Sequence, residues 1–305
     1  MIQIEKFAPK QATGAGECLD HHTSKLAIVA GSGSLPGVVA EAALAAGQAV
    51  HILGLDGYAD AALTRFAFTS VRMGEIGKLL RVIRQEGCGE LVIIGSVKRP
   101  DMGKLHFDAG ALINLPLLLR LMIGGDDSML TRVVQFFERK GLVVRGAHEV
   151  APELVAGAGA LGRHRPGRRD QADIALGMAV TQQLGDLDVG QAAVVARGHV
   201  LAVEAAEGTD QMLTRCGGLR QWGRHRSRRR MGALVKRPKP RQELRIDMPA
   251  IGPHTVRLAA EAGLAGIAIE AGHVLIADRG EAVRLADEAG LFLVGMPGAA
   301  GGRPA

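Results

Sequence analysis

The stretch KLAIVAGSGSLPGVVAEAALAAG, Lys25 to Gly47, decides the fold. An apolar run of strand length, Lys25 to Ala30, ends in the glycine-rich GSGSLPG, Gly31 to Gly37. That loop passes into VVAEAALAA, a run of good helix formers closed by Gly47. Strand, glycine turn and helix in that order predict the first unit of a parallel sheet. Working outward, AVHILGL reads as a second strand and ELVIIGSV as a third. Between them GEIGKLLRVIRQEG, Gly74 to Gly87, carries Ile76, Leu79, Leu80 and Ile83 at helical spacing. MLTRVVQFFERKG is a further amphipathic helix and LVVRGAHEV a further strand. Strands alternating with helices predict a Rossmann-like, doubly wound domain over residues 25–152.

The pattern then changes. PELVAGAGALGRHRPGRRD, Pro152 to Asp170, is rich in Gly, Pro and Arg and has no period, so residues 153–168 read as a linker. After a helix near Asp170 to Leu184, AAVVA and HVLAVEA are joined by Arg197-Gly198, the spacing of a hairpin. GALVKRP, ELRIDMP, GIAIEAG, HVLIAD and LFLVG read as strands, with helices near Thr255 to Ala262 and in GEAVRLADEAG. Residues 169–297 are thus expected to form a second, mixed α/β domain with hairpins, followed by a tail over 298–305. Residues 1–24, a mixture of charge, Gly and His, read as an extension without fixed structure.

Composition narrows the function. The three cysteines, Cys18, Cys88 and Cys216, are far apart and form no CxxC pair, which argues against a disulfide framework or a zinc site and fits a reducing compartment. The most apolar run, Leu112 to Ile123, contains Pro116 and Arg120 and is too short to span a bilayer. Of the 37 Lys and Arg, ten fall between Arg220 and Arg241 with no acid among them, so the remaining 27 face 31 acids. A mildly acidic body therefore carries one cationic band, whose candidate partners are a phosphorylated ligand, an anionic membrane or nucleic acid.

Four segments could carry chemistry. In the glycine loop, Gly31, Gly33, Ser34, Leu35 and Pro36 bring backbone N–H groups and a helix N-terminus to where an anion can bind, although a plain tight turn has the same appearance. Asp56, after the second strand, occupies the place of a ribose-binding acid in a nucleotide-binding oxidoreductase. In VEAAEGTDQML, Glu204, Glu207, Gly208, Thr209 and Asp210 gather carboxylates and exposed backbone suited to a hard cation such as Mg²⁺, or else merely cap the next helix. In LVKRPKPRQELRIDMPAIGP, Lys236 and Lys239 lie among stiffening prolines, and Asp247 closes what reads as a short strand. Cations and a carboxylate within about a dozen residues are what pyrophosphate chemistry requires. WGRHRSRRRM, Trp222 to Met231, fits an anionic lipid surface, and a lone Trp222 gives little for stacking on nucleic acid.

AGSGSLP, SVKRPD, GDDSMLTRVV, GAHEV, GALG, LDVGQAAVV, VLAVEAAEGTDQML, LVKRPKPRQELRIDMPAIGP, AGLAGIAIEAG and GLFLVG occur in that order, and the series resembles the LpxI-type UDP-2,3-diacylglucosamine pyrophosphatases from Lys25 to Gly295. The resemblance implies hydrolysis of UDP-2,3-diacylglucosamine to 2,3-diacylglucosamine 1-phosphate (lipid X) and UMP in lipid A biosynthesis. It implies a divalent metal, usually Mg²⁺, water attack on the β-phosphorus, and substrate held between two domains. It puts the catalytic acid at Asp247, the metal with Asp247 and Asp210, charge neutralisation on Lys236 and Lys239, and substrate contacts on Glu207 to Asp210. A cytoplasmic protein, peripheral on the inner face of the inner membrane, follows from the acylated substrate, with a second copy of the chain as a candidate partner and nucleic acid as none. Two rivals are weighed against it. A nicotinamide oxidoreductase leaves the cationic band unexplained, and a nucleic-acid module leaves the acidic EGTD segment unexplained.

Overall fold

The computed structural model of the chain describes residues 24–97, 126–219 and 229–298. The expected extension and tail, the apolar run Leu112 to Ile123 and most of the arginine band, with Trp222, lie outside the described residues.

The N-terminal sheet contains β1 (Lys25–Ala30), β2 (Val50–Leu55), β3 (Phe68–Val71), β4 (Cys88–Ile94) and β5 (Val143–Val144), in the spatial order β3-β2-β1-β4-β5. Every pairing is parallel. Burial on both faces explains why β1 is apolar at every position after Lys25. Leu26, Ile28 and Ala30 meet Val39, Ala40 and Ala43 of helix α1 (Leu35–Ala45). Ala27 and Val29 face the other way, toward Leu79 and Ile83 of α2 (Ile76–Gln85) and Val134 and Phe137 of α3 (Asp126–Arg139). FTSV escapes a sequence reading because β3 is an edge strand with a single buried residue, Val71. LVVRGAHEV is not one strand. Pairing stops at Val144, and Ala147–Val150 turn into the short helix α4, with Glu149 accepting from the Gly146 N–H.

The C-terminal sheet has the order β6-β13-β11-β9-β7-β8. β9 (Ala233–Lys236), β11 (Gly266–Glu270) and β13 (Phe292–Met296) are parallel, whereas β7 (Ala192–Ala196) is antiparallel to both β9 and β8 (His199–Val203). The expected hairpin is present. Arg197 and Gly198 both take positive φ, and the buried Asp173 accepts both of their N–H groups. Asp173 belongs to α5 (Arg168–Asp186), which covers one face; Gly177 lets it approach, since a Cβ there would sit 2.4 Å from a Val235 methyl. Helices α6 (Gly208–Leu219), α7 (Pro253–Glu261) and α8 (Arg279–Glu288) cover the other, packing Met212, Val256 and Ala282 on Leu234, Ile267 and Leu293.

The crossing between domains is short. Leu154 belongs to the N-terminal core and Ala156 to the C-terminal core, while β6 (Gly159–Ala160) pairs with β13. Most of the aperiodic stretch thus lies along the second domain, holding only two residues in ladder. A small parallel pair, β10 (Ala250–Ile251) with β12 (Leu275–Ile276), completes the join, and Leu275 packs into the N-terminal core.

ELRIDMP, expected as a strand, is instead a turn. Ile246 and Asp247 both donate backbone N–H groups to the Glu243 carbonyl. The segment has no strand neighbour because its apolar side chains cross to the other domain, where Ile246 and Met248 pack against the N-terminal clusters.

Candidate active site between two sheet edges

The order β3-β2-β1-β4-β5 reverses between β1 and β4, and a doubly wound sheet opens a crevice at the carboxyl ends of such strands. Here the two loops bind each other: Ser32 and Ser96 exchange backbone hydrogen bonds of 2.9 Å, and the Ser32 hydroxyl donates to the Ser96 carbonyl. A Cβ on Gly31 would lie 2.8 Å from the Gly95 and Ser96 backbone, so only glycine fits. Gly33 takes φ +100°, which turns the chain into α1. Ser34, at the helix N-terminus, makes no side-chain cap, so this end presents bare backbone and hydroxyl.

A cleft of about 420 Å³ lies against this loop, with Ser32, Gly33, Ser34 and Leu35 on one wall. Gly31 and Pro36 stand buried behind it. The opposite wall is the turn Leu244 to Met248, including Asp247, together with Gly252, Pro253 and His254. Arg245 reaches across to Glu138 of α3 at 2.8 Å while its fork grips Glu243, so the Asp247 segment is tied to both domains. Asp56 is exposed and does not line the cleft.

Behind the Asp247 wall lies a buried charged chain. Lys236 ends β9 and is 6% exposed; its ammonium donates to the Thr209 hydroxyl at 2.9 Å and to the Ala250 carbonyl at 3.1 Å. Thr209 in turn donates to Glu204, also 6% exposed, at 2.9 Å. Burial pushes the Lys236 ammonium below the ordinary lysine range, and the charges of Glu204, Asp210 and Asp247 oppose that fall. Three carboxylates from two segments therefore converge electrostatically on one lysine. Two of its three N–H groups are used in these bonds, and Lys236 does not itself line the cleft.

Other predicted residues are placed differently. Asp210, in the first turn of α6, is exposed, with its carboxylate 3.6 Å from His254, which lines the cleft. Glu207 is held by Arg215 at 2.8 Å; its own backbone N–H and this guanidinium keep its carboxyl below the usual range. Gly208, at φ +81°, turns the chain into α6. Lys239 points to Asp188, 2.6 Å away on the loop after α5, and does not line the cleft. Sequence reasoning missed Gln242, which is 6% exposed and donates to Asp247 at 2.6 Å. Nothing in K-P-R-Q-E marks a polar side chain as buried.

Among the described residues no group of three or more His, Cys, Asp or Glu forms a ready-made metal cage. Mg²⁺ commonly uses only one or two carboxylates and completes its shell with phosphate oxygens and water, and of the expected ligands Asp247 lines the cleft while Asp210 stands beside His254 at its rim. Gln242 occupies Oδ2 of Asp247, and Oδ1 accepts no hydrogen bond among the described residues.

A glycine loop at the switch point of one sheet and the Asp247 turn of the second domain, with a buried lysine cluster behind it, wall one cleft in a two-domain α/β protein. The chain belongs to the LpxI family: residues 25–154 match the LpxI N-terminal domain and residues 157–294 the LpxI C-terminal domain. It is 45% identical over 272 residues to UDP-2,3-diacylglucosamine pyrophosphatase LpxI of Caulobacter vibrioides, covering 89% of this chain and 97% of that protein. The two matched segments meet where the chain crosses between the cores.

Proposed function

We propose that the chain hydrolyses the pyrophosphate bond of UDP-2,3-diacylglucosamine, giving 2,3-diacylglucosamine 1-phosphate and UMP by water attack on the β-phosphorus. The observation that carries the reading is the cleft itself, in which the Asp247 wall, backed by buried Lys236, faces the glycine loop of a protein related to a pyrophosphatase of that name. The open backbone at Gly33 to Leu35 is suited to cradling phosphate oxygens. Lys236 offsets charge that grows on the diphosphate as the bond breaks, and the low-dielectric setting strengthens it. Asp247 orients the attacking water, with Asp210 near the cleft mouth beside His254. A Mg²⁺ bound to these two carboxylates would withdraw charge from the phosphates and acidify that water. Thr209 and Glu204 keep the ammonium aimed.

The acylated substrate places the protein on the inner face of the inner membrane as a peripheral enzyme, with the arginines of residues 224–230 as lipid contacts. Arg230 donates to the Ala260 carbonyl at 2.7 Å, at the end of α7. A triple change of Arg228, Arg229 and Arg230 to Ser should lower binding to anionic vesicles. Unchanged binding removes the membrane role.

Mass analysis of what co-purifies with Asp247→Ala tests the substrate. Retention of the UDP-linked diacylglucosamine or its monophosphate supports the reading, and unimpaired turnover by that variant sinks the role of Asp247.

A further inference from the structure

We infer that Gln242 is a positioning residue whose amide fixes the direction of the Asp247 carboxylate without cancelling its charge. The inference rests on the reading of Asp247 as the acid at the reacting centre. Gln242 lies in a loop whose neighbours Pro240 and Arg241 are exposed, yet it is 6% exposed itself. Both ends of its side chain are occupied. Oε1 accepts the Lys239 backbone N–H at 2.9 Å, and Nε2 donates to Asp247 Oδ2 at 2.6 Å.

Each contact fixes the other. A backbone N–H can only donate, so the amide oxygen must face Lys239 and the NH₂ must face Asp247. Asp247 is thereby met as an acceptor, through one oxygen only. The loop backbone closes in the same sense, with Gln242 N–H donating to the Lys239 carbonyl and Asp247 N–H to the Glu243 carbonyl. The loop is a frame that sets Gln242, and Gln242 sets Asp247.

The residue type matters. A lysine or arginine at position 242 would pair with Asp247 and compete with any cation or polarised water meant for it. A glutamate would set two carboxylates at hydrogen-bond distance, which cannot both stay ionised. An amide supplies direction alone, and a carboxylate already aimed needs no reorganisation when the reaction begins.

The test uses the full chain with UDP-2,3-diacylglucosamine and two variants, Gln242→Met and Gln242→Glu. The second keeps an acceptor for the Lys239 N–H and reverses only the contact to Asp247, so it serves if the first does not fold. We expect kcat to fall about 50-fold in each with KM within about threefold. In an Asp247→Asn background the same changes should alter the residual rate by less than about twofold, because Gln242 acts through Asp247. Undiminished kcat in a folded variant, or a loss that multiplies in the Asp247→Asn background, overturns the inference. A second readout needs no turnover: in a ¹⁵N-labelled protein the Gln242 side-chain amide resonance should move in Asp247→Asn and stay put in Glu207→Ala. No movement in Asp247→Asn overturns the inference too. If the wild-type chain leaves this diphosphate intact while the amide resonance moves, the substrate reading fails and the positioning stands.

Discussion

The two domains meet the cleft with the same structural feature, the carboxyl edge of parallel strands, but furnish it in opposite ways. The N-terminal edge is neutral, made of Ser32, Gly33 and Ser34 at the mouth of α1, and its geometry depends on Gly31 and Gly95 lying in contact. The C-terminal side is charged, with Asp247 in the cleft wall and Lys236 buried behind it, donating to the Ala250 carbonyl and to Thr209, which in turn donates to Glu204. A backbone edge recognises an anion by shape at little electrostatic cost. An edge carrying a desolvated ammonium and carboxylates can change the charge distribution of what is bound. On the proposed function, binding falls chiefly to the first edge and chemistry to the second.

Substitutions sharpen that division. Asp247→Asn, which keeps the shape and the Gln242 contact but removes the charge, should lower kcat by about 10³-fold with substrate affinity nearly unchanged. Steady-state kinetics reads the split. Lys236→Met should lower kcat by about 10²-fold. It also carries a pH signature. The native ammonium titrates below its unfolded value, so the unfolded chain holds the proton more firmly and wild-type stability should rise with pH between those two values. Thermal melts should therefore show the wild type gaining on Lys236→Met as pH climbs through that window. A flat difference would mean that Lys236 is not desolvated.

Gly31→Ala attacks the other edge. The added Cβ meets backbone of Gly95 and Ser96, which must move, at a stability cost of about 2 kcal/mol. KM should rise about tenfold with kcat nearly kept, and a kcat-only loss would erase the proposed division. Glu207→Ala, which removes an exposed ion pair and leaves Arg215 its bond to the Val203 carbonyl, should change either constant by less than about threefold.

Much of the fold is legible in the sequence because burial on both faces leaves unbroken apolar runs, as in LAIVA and LVII, and because Gly31, Gly47 and Gly87 punctuate them. The hairpin at Arg197-Gly198 is legible for the same reason. The Asp247 turn is not: L, I and M in ELRIDMP mimic strand alternation, while Ile246 and Met248 pack across the domain boundary. At the site, residue identity gives Lys236, Thr209 and Asp247 through segments that the fold brings together. It does not separate Lys239 from Lys236, since only the tertiary path sends one ammonium to Asp188 and the other into the cluster.

The most direct test of the account follows the oxygen of the attacking water. Purified chain, UDP-2,3-diacylglucosamine and Mg²⁺ are incubated in ¹⁸O-enriched water and the products read by ³¹P NMR and mass spectrometry. The account predicts cleavage to two monophosphates with the label in 2,3-diacylglucosamine 1-phosphate and none in UMP. An intact diphosphate would contradict it, and label in UMP would contradict water attack on the β-phosphorus.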